Sequence, residues 1–547
     1  MKIRRTILAP VVVALAALAT GGWFLQRGAG QERNIYANAG LFEEVLRYVQ
    51  EGFVDEREPT ELYRMAIDGM LEELGDPHTV YMPAKEYENL RIQTQGEYGG
   101  IGISINRRNG WVTVISPIPG TPGERAGLRA GDAIIEVDGE STRDWTDDFA
   151  VSKLRGPKGS KVDIKIARPG VDEPIPFEIT RAEIHVKSVP AAYMIAPEVG
   201  YVELSVFSET STTEVREAIT ALQKQGAKGI LLDMRGNSGG LLEEGVSVSD
   251  LFLERGDLVL ETKGRIPNQN FKYEASSEDE FPGLPVVMLV GPSSASATEI
   301  VAGALQDHDR ALLVGQTTYG KGSVQTVFRL SDNNWLKMTT ARWFTPSGRS
   351  IQGPYGIDSP MADGGDGLNA IDPAAVAEED EEERPEYRTD GGRVVYGGGG
   401  IKPDLEVSPD TLTLDERPSA RMLRQQSYRK WIEGRFAWST KYASAHQNLE
   451  PDFEITQEML DSFYQALVDT GLEIDRATFD SGKRWISMEL GYEIAMANWG
   501  VAEARKRSNR HDPQVARGIE LLQEARTTEE LFSIAREEAE TARTASR

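Results

Sequence analysis

The chain contains no cysteine. That excludes disulfide staples, thiolate metal sites and a cysteine nucleophile, and it leaves no residue for a lipidated N-terminal cysteine. Histidine is scarce: the 5 residues His78, His185, His308, His446 and His511 lie far apart. They form no HExxH-type cluster, so no metal site is expected. Basic charge is also short. Against 60 Lys and Arg stand 86 Asp and Glu, a net charge of −26, and a protein that grips duplex nucleic acid needs the opposite balance. No nucleic-acid partner is expected. Long apolar runs are missing beyond Leu25.

The one such run lies at the N-terminus. Lys2, Arg4 and Arg5 precede apolar residues from Ile7 to Leu25, close to the roughly 20 that span a bilayer. Basic residues first predict the N-terminus inside and the body outside. Ala17-Leu18-Ala19 also fits a signal-peptidase site. Residues 1–30 are therefore expected to be a signal anchor or a cleaved signal. The body is then exported to the periplasmic side of the cell envelope, held in the inner membrane by residues 7–25 if they are uncleaved.

At 547 residues the chain exceeds one core, which predicts three or four domains. Residues 34–95 read as helical, with apolar spacing in Leu41–Val49 and Leu62–Leu74. Residues 96–182 change to short strands with glycine turns, with strands expected at Ile101–Ile105 and Val112–Ile115 and a helix at Trp145–Leu154. In 183–353, resumed at 396–410, apolar strands alternate with helices, which predicts an α/β domain with buried, largely parallel strands. Residues 354–395 read as an acidic low-complexity insertion. Residues 411–547 read as helical.

Two segments carry the chemistry. Ser296-Ala-Thr-Glu299 has the spacing of a helix capping box. The same position, with alanines on both sides, suits a nucleophile, because a helix start offers free amides to an oxyanion. Lys321 lies between Gly320 and Gly322. Gly315–Lys321 begins like a phosphate-binding loop, but Gly322 stands where that loop needs Ser or Thr, and a strand pattern follows. The nucleotide reading fails on both counts. A Ser-Lys pair, by contrast, activates a hydroxyl without histidine. Gly236-Asn-Ser-Gly-Gly240 is similar to the serine segment of chymotrypsin-like proteases, but cysteines and an Ala-Ala-His segment are absent. It reads better as a glycine turn after a strand, able to supply an oxyanion donor from Gly239 or Gly240. Gly100-Ile-Gly-Ile103, with Pro119–Asp132 downstream, reads as the carboxylate-binding loop of a PDZ domain.

These landmarks together resemble the carboxyl-terminal processing (tail-specific) serine peptidases. They include Gly75-Asp-Pro-His78, Leu154–Gly159, Asp233–Gly240, residues 294–299, Tyr319–Gln325, Thr345–Ile351 and Gly400-Ile-Lys-Pro-Asp404. The resemblance covers roughly residues 40–410. It implies a multidomain α/β fold: a crotonase/Clp-protease-like serine protease core, a PDZ domain (96–182) upstream of it, and helical N- and C-terminal regions. It assigns Ser296 as nucleophile, Lys321 as general base and Gln325 as the residue that positions the lysine. Ala297 and a glycine of the 236–240 turn become the oxyanion hole, and Gly100, Ile101, Gly102 and Ile103 the receptor for a substrate C-terminus. Arg155 matches a linker arginine that couples PDZ position to the active site in some members. No cofactor is implied. Partners are proteins or peptides with free C-termini, and the C-terminal helices are expected to serve self-association, an adaptor or plain packing. The chain departs from the family at the 354–395 insertion and at Thr298, where many members carry serine. A non-catalytic PDZ-containing binding protein is the alternative, and it would have no need of the Ser-Lys-Gln set.

Overall fold

The protein, here a computed structural model, is described over residues 38–353 and 384–545. The expected signal segment 1–30, including residues 7–25, and most of the acidic insertion lie outside the described residues. Among the described residues no helix is long and apolar enough to cross a membrane. The chain divides into two units, Met1–Tyr81 and Met82–Arg547.

The first unit is helical over 38–52 and Pro59–Glu72. Pro59 sits in the first turn of its helix, where its missing N–H costs nothing. Gly75, at φ 65°, stops the helical run. Asp76 then orders the Pro-His turn, accepting from His78 N–H at 3.1 Å and Thr79 Oγ1 at 2.5 Å. Leu41, Phe42, Val45, Tyr48 and Met70 stay exposed.

The second unit begins with the PDZ segment. Six strands form an antiparallel sheet: five lie in the order Ile103–Arg108, Trp111–Pro117, Ala133–Val137, Lys161–Ala167, Ile175–Thr180, and the short Glu140–Ser141 pairs with Ala133–Val137. Its alternating side chains Val112, Val114, Ile134, Ile164 and Ile166 fill one small core. The helix expected at Trp145–Leu154 begins at Asp147, because the Thr146 side chain caps it by accepting from Phe149 N–H at 3.2 Å. The strand expected at Ile101–Ile105 is interrupted. Glu97–Gly100 pairs with Ala182–His185, and a new strand starts only at Ile103. Gly102 at φ 73° causes the break.

Six strands make the central sheet of the protease core: β1 (Ala191–Ala196), β2 (Val199–Glu203), β3 (Gly229–Asp233), β4 (Val286–Val290), β5 (Leu312–Gly315) and β6 (Leu405–Glu406). They lie in that order, with β1 antiparallel to β2 and every later pair parallel. Helices α1 (Ser211–Lys224), α2 (Leu242–Asp250) and α3 (Ala297–Asp307) cover one face. Ile230, Leu232, Met288 and Leu313 point to that side and meet Val215, Val248 and Ile300. The alternate residues Leu231, Val287, Leu289 and Val314 face the other side, where helix α4 (Pro513–Glu524) places Val515, Leu521 and Leu522. Burial on both faces explains why these strands read as continuous apolar runs.

A separate antiparallel sheet joins Leu258–Gly264 to Trp335–Phe344, and Ser323–Arg329 to the latter's other side. The second part of the expected insertion is not low-complexity loop. Glu386–Arg388 pairs with Val394–Tyr396 as a hairpin. Arg393 fastens it to the core through Asp309 at 2.6 Å and through Asp404. Residues 417–499 form a helical bundle around Trp431, Phe463, Phe479 and Trp485. It meets the PDZ sheet at Arg108, whose guanidinium stacks 4.2 Å from the Phe436 ring centre.

Candidate active site

In a parallel sheet all carboxyl ends share one edge, and the segments that leave them converge there. Three such segments follow β3, β4 and β5: residues 234–241, 291–296 and 316–322.

The turn after β4 is pinned from below. Ser294 N–H donates to the Gly291 carbonyl at 2.9 Å, and Ser294 Oγ to the Met234 carbonyl at 2.8 Å. Buried Asn237 holds two turns together. Its carbonyl accepts from Ala295 N–H at 3.1 Å and Thr298 Oγ1 at 2.8 Å, and its Nδ2 donates to the Leu204 carbonyl at 2.9 Å. This leaves Ser296 as the half-exposed residue of the segment, between buried Ala295 and Ala297. Its backbone lies at φ 56°, ψ −116°, a conformation costing of order 1–3 kcal/mol for a residue with a Cβ. The expected capping box is present between Ser296 and Glu299. Ser296 N–H donates to Glu299 Oε2 at 2.8 Å, while Glu299 N–H returns to the Ser296 carbonyl at 2.8 Å.

Glu299 is the residue that the sequence reading undervalued. It is fully buried and accepts four donors. Thr318 Oγ1 at 2.5 Å and Gly320 N–H at 2.6 Å reach Oε1; Ser296 N–H and Lys321 N–H, both at 2.8 Å, reach Oε2. Burial pushes its carboxyl up to about 6, against the pull of these four hydrogen bonds. The Lys321 carbonyl accepts from Trp343 Nε1 at 3.2 Å, and Gly322 packs on Gln352, so the lysine turn is fixed on both sides. Gln325 lies on the neighbouring strand, with Nε2 donating to Ser323 Oγ at 2.9 Å and Thr339 Oγ1 at 3.3 Å. Its carbonyl oxygen is the end suited to an ammonium group.

The two oxyanion glycines differ. Gly239 N–H donates to Asn237 Oδ1 at 2.8 Å, and a Cβ at Gly239 would lie 2.8 Å from Ser296 Cβ and 3.0 Å from Ala297 N. Gly240 is exposed. Among the described residues neither its N–H nor that of Ala297 donates to a protein acceptor.

Two residues of the Asp233–Gly240 landmark carry no expected role of their own. Asp233 ends β3, and Arg235 grips it through Nε at 3.0 Å and Nη2 at 2.6 Å. Burial works against both charges, but each outweighs it for the other, so the Asp233 carboxyl is held below its ordinary range and the Arg235 guanidinium above its own. An Asp-x-Arg pair before a glycine turn was the available signal.

In the PDZ segment, the Ile101 carbonyl accepts from Gly123 N–H at 2.7 Å and the Gly102 carbonyl from Thr121 Oγ1 at 2.8 Å. The carbonyls are thus turned into the fold at the loop 100–103. The strand after it, Ile103–Arg108, lies at the sheet edge and pairs on one side only among the described residues, as strand addition requires. Arg155 lies 4.6 Å from the ring centre of Tyr98, just before the loop. Among the described residues no group of His, Cys, Asp and Glu could hold a metal ion.

A serine at a strained strand-to-helix turn and a lysine turn tied to it thus lie at the carboxyl edge of the sheet, with a PDZ-like segment upstream. The comparisons with known proteins agree. The model of peptidase family S41 matches residues 198–361, that of the PDZ domain residues 89–167, and that of the activating protease CtpB N-terminal domain residues 26–86. The chain is 41% identical over 326 residues to a carboxy-terminal-processing protease of Bartonella bacilliformis, covering 59% of this chain and 74% of that one. It is 36% identical to the carboxy-terminal processing protease CtpA of Bacillus subtilis, covering 52% of this chain and 60% of that one. Among solved structures, a photosystem II D1 C-terminal processing protease is 32% identical, covering 57% of this chain and 89% of that one, with a TM-score of 0.32. The chain belongs to the carboxy-terminal-processing serine proteases of peptidase family S41.

Proposed function

We propose that the protein is an exported Ser-Lys endopeptidase that selects protein substrates by their free C-terminus and cleaves through an acyl-enzyme. One observation carries the dyad: Ser296 N–H and Lys321 N–H donate to the same oxygen of buried Glu299. That oxygen sets the two backbones side by side.

In this reading Ser296 Oγ attacks the scissile carbonyl and neutral Lys321 Nζ takes its proton. The oxyanion faces the N–H groups of Ala297 and Gly240. The Lys321 ammonium then gives its proton to the departing amine. Water attacks the ester as Lys321 Nζ takes a proton from it; the tetrahedral intermediate then expels Ser296 Oγ, which takes that proton back from Lys321, and the acid product leaves with serine and neutral lysine restored. Gln325 steadies the lysine through its carbonyl oxygen. The loop 100–103 offers its amides to the substrate carboxylate, and the tail pairs with the edge strand Ile103–Arg108. Arg155, stacked on Tyr98, would report loop occupancy to the core. Export follows from the basic, apolar N-terminal segment, and N-terminal sequencing of the protein from envelope fractions distinguishes a cleaved signal from an anchor.

The test is cleavage of an unfolded protein with an apolar tail by wild type, Ser296→Ala and Lys321→Ala. Both variants should lose cleavage while still binding the tail, and amidating the tail should weaken binding. Undiminished cleavage by either variant refutes the dyad.

A further inference from the structure

The polypeptide beyond the family S41 match returns to the active-site edge of the core sheet. Segment Val501–Asn509 crosses the ends of β1 and β2. Arg505 bonds both oxygens of Glu203 at 3.0 Å, and Asn509 Nδ2 donates to the Tyr193 hydroxyl at 2.9 Å. The next residues reach Arg235. Its Nη1 donates to Asp512 Oδ2 at 2.6 Å and to Gln514 Oε1 at 2.7 Å. Asp512 is 277 positions away from Arg235 in sequence.

Arg235 is the residue directly before the Gly236–Gly240 turn, and a Cβ at Gly291, where the serine segment starts, would lie 3.9 Å from its side chain. Asp233 holds one end of the guanidinium from within the same strand ending. Among the described residues only the C-terminal segment holds the Nη1 corner. Asp233 takes the Nε and Nη2 corners as a bidentate fork, and Asp512 with Gln514 adds acceptors at the remaining corner, so all three nitrogens of the guanidinium are held.

We infer that Asp512 and Gln514 are positioning residues for proteolysis, acting through Arg235 on the turn that presents the Gly240 amide. The inference rests on the assignment of that turn to the oxyanion hole. It gives the C-terminal segment a part in the reaction, in addition to covering the sheet.

Asp512 has a second task, which dictates the variant. Its Oδ1 caps helix α4, accepting from Gln514 N–H at 2.9 Å and Val515 N–H at 3.2 Å. Asp512→Asn keeps a good cap but turns an amide toward Arg235. Gln514→Met leaves the cap untouched and removes the other acceptor. Each full-length variant would be assayed for kcat, KM and affinity for a peptide boronate, whose tetrahedral adduct carries an oxyanion. The expected result is a fall in kcat of about tenfold, with boronate affinity falling in parallel and KM unchanged. A merely structural role would lower the unfolding temperature and leave the kcat of the folded fraction and the boronate affinity alone; that outcome overturns the inference. If Asp512→Asn fails to fold, Gln514→Met decides on the same criteria. Ser296→Ala runs in parallel: if it still cleaves, the active-site assignment and the inference both fall, whereas wild-type kinetics in the folded variants defeat the inference only.

Discussion

Glu299→Gln is the sharpest test of how the site is held. The carboxylate accepts two donors on each oxygen. An amide offers one oxygen and turns an NH2 group toward the other two donors. Two hydrogen bonds to a charged acceptor are lost, at about 1.5–3 kcal/mol each. Against this, the variant no longer buries a charge. A carboxyl raised from 4.5 to about 6 costs ~2 kcal/mol of stability at neutral pH. The net loss at pH 7 is therefore about 1–4 kcal/mol. Whichever pair loses its acceptor includes at least one of the lysine-turn amides, so kcat should fall by more than tenfold. The pH dependence has a definite sign. The raised carboxyl contributes stability that is present below about 4.5 and lost as pH rises through about 6. Glu299→Gln lacks this titration, so the stability gap between wild type and variant should widen by ~2 kcal/mol from pH 7.5 to pH 4.5. Denaturant unfolding of the protease core at both pH values, hydrogen exchange over residues 294–322, and kcat at pH 7.5 measure these effects. A variant with wild-type kcat and wild-type protection at Ser296 and Lys321 would refute the reasoning.

Three further outcomes are expected. Gly239→Ala places a methyl 2.7 Å from the Ala295 carbonyl oxygen at φ 101°, so cleavage should fall at least tenfold while tail binding by the PDZ segment is kept, as fluorescence titration would show. Gly102→Ala drives a Cβ to 2.3 Å from Thr121 Cβ; peptide affinity should drop and KM rise, with kcat at saturation retained. Asp307→Asn removes the charge beside fully buried Arg349, 2.8 Å away, and should cost about 3–5 kcal/mol in denaturant unfolding, because the guanidinium stays buried.

The fold was legible where chemistry repeats along the chain. The runs that became β2 to β5, and the helices α1 to α3, show in apolar periodicity alone. Ser296 and Lys321 were legible because small residues and glycines bracket them. Glu299 was not, since Ser-x-x-Glu at a helix start has a sufficient local explanation, and the spacing does not reveal that the same carboxylate reaches Gly320 and Lys321. Asp512-Pro513 has the same defect: it reads as a helix start, and its bond to Arg235 spans most of the chain. The break at Gly102 escaped a strand pattern that continues on both sides of it. The hairpin at 386–396 was masked by the acidic run before it, although Arg393 lies in it with the charge to dock on Asp309 and Asp404.

The strained serine and the buried carboxylate explain each other. At φ 56° Ser296 needs its backbone held, and every polar backbone atom of the residue is engaged. Its N–H meets Glu299 Oε2, and its carbonyl accepts from Glu299 N–H at 2.8 Å and Ile300 N–H at 3.0 Å. One oxygen, Oε2, meets both Ser296 N–H and Lys321 N–H, so the bond that holds the strained backbone also places the Lys321 backbone beside it; the second carboxylate oxygen is what Thr318 and Gly320 use. Strain, burial of a charge and placement of the lysine turn therefore belong to one arrangement, and its energetic cost persists because loss of any part would displace the backbone of Ser296, of Lys321 or of both.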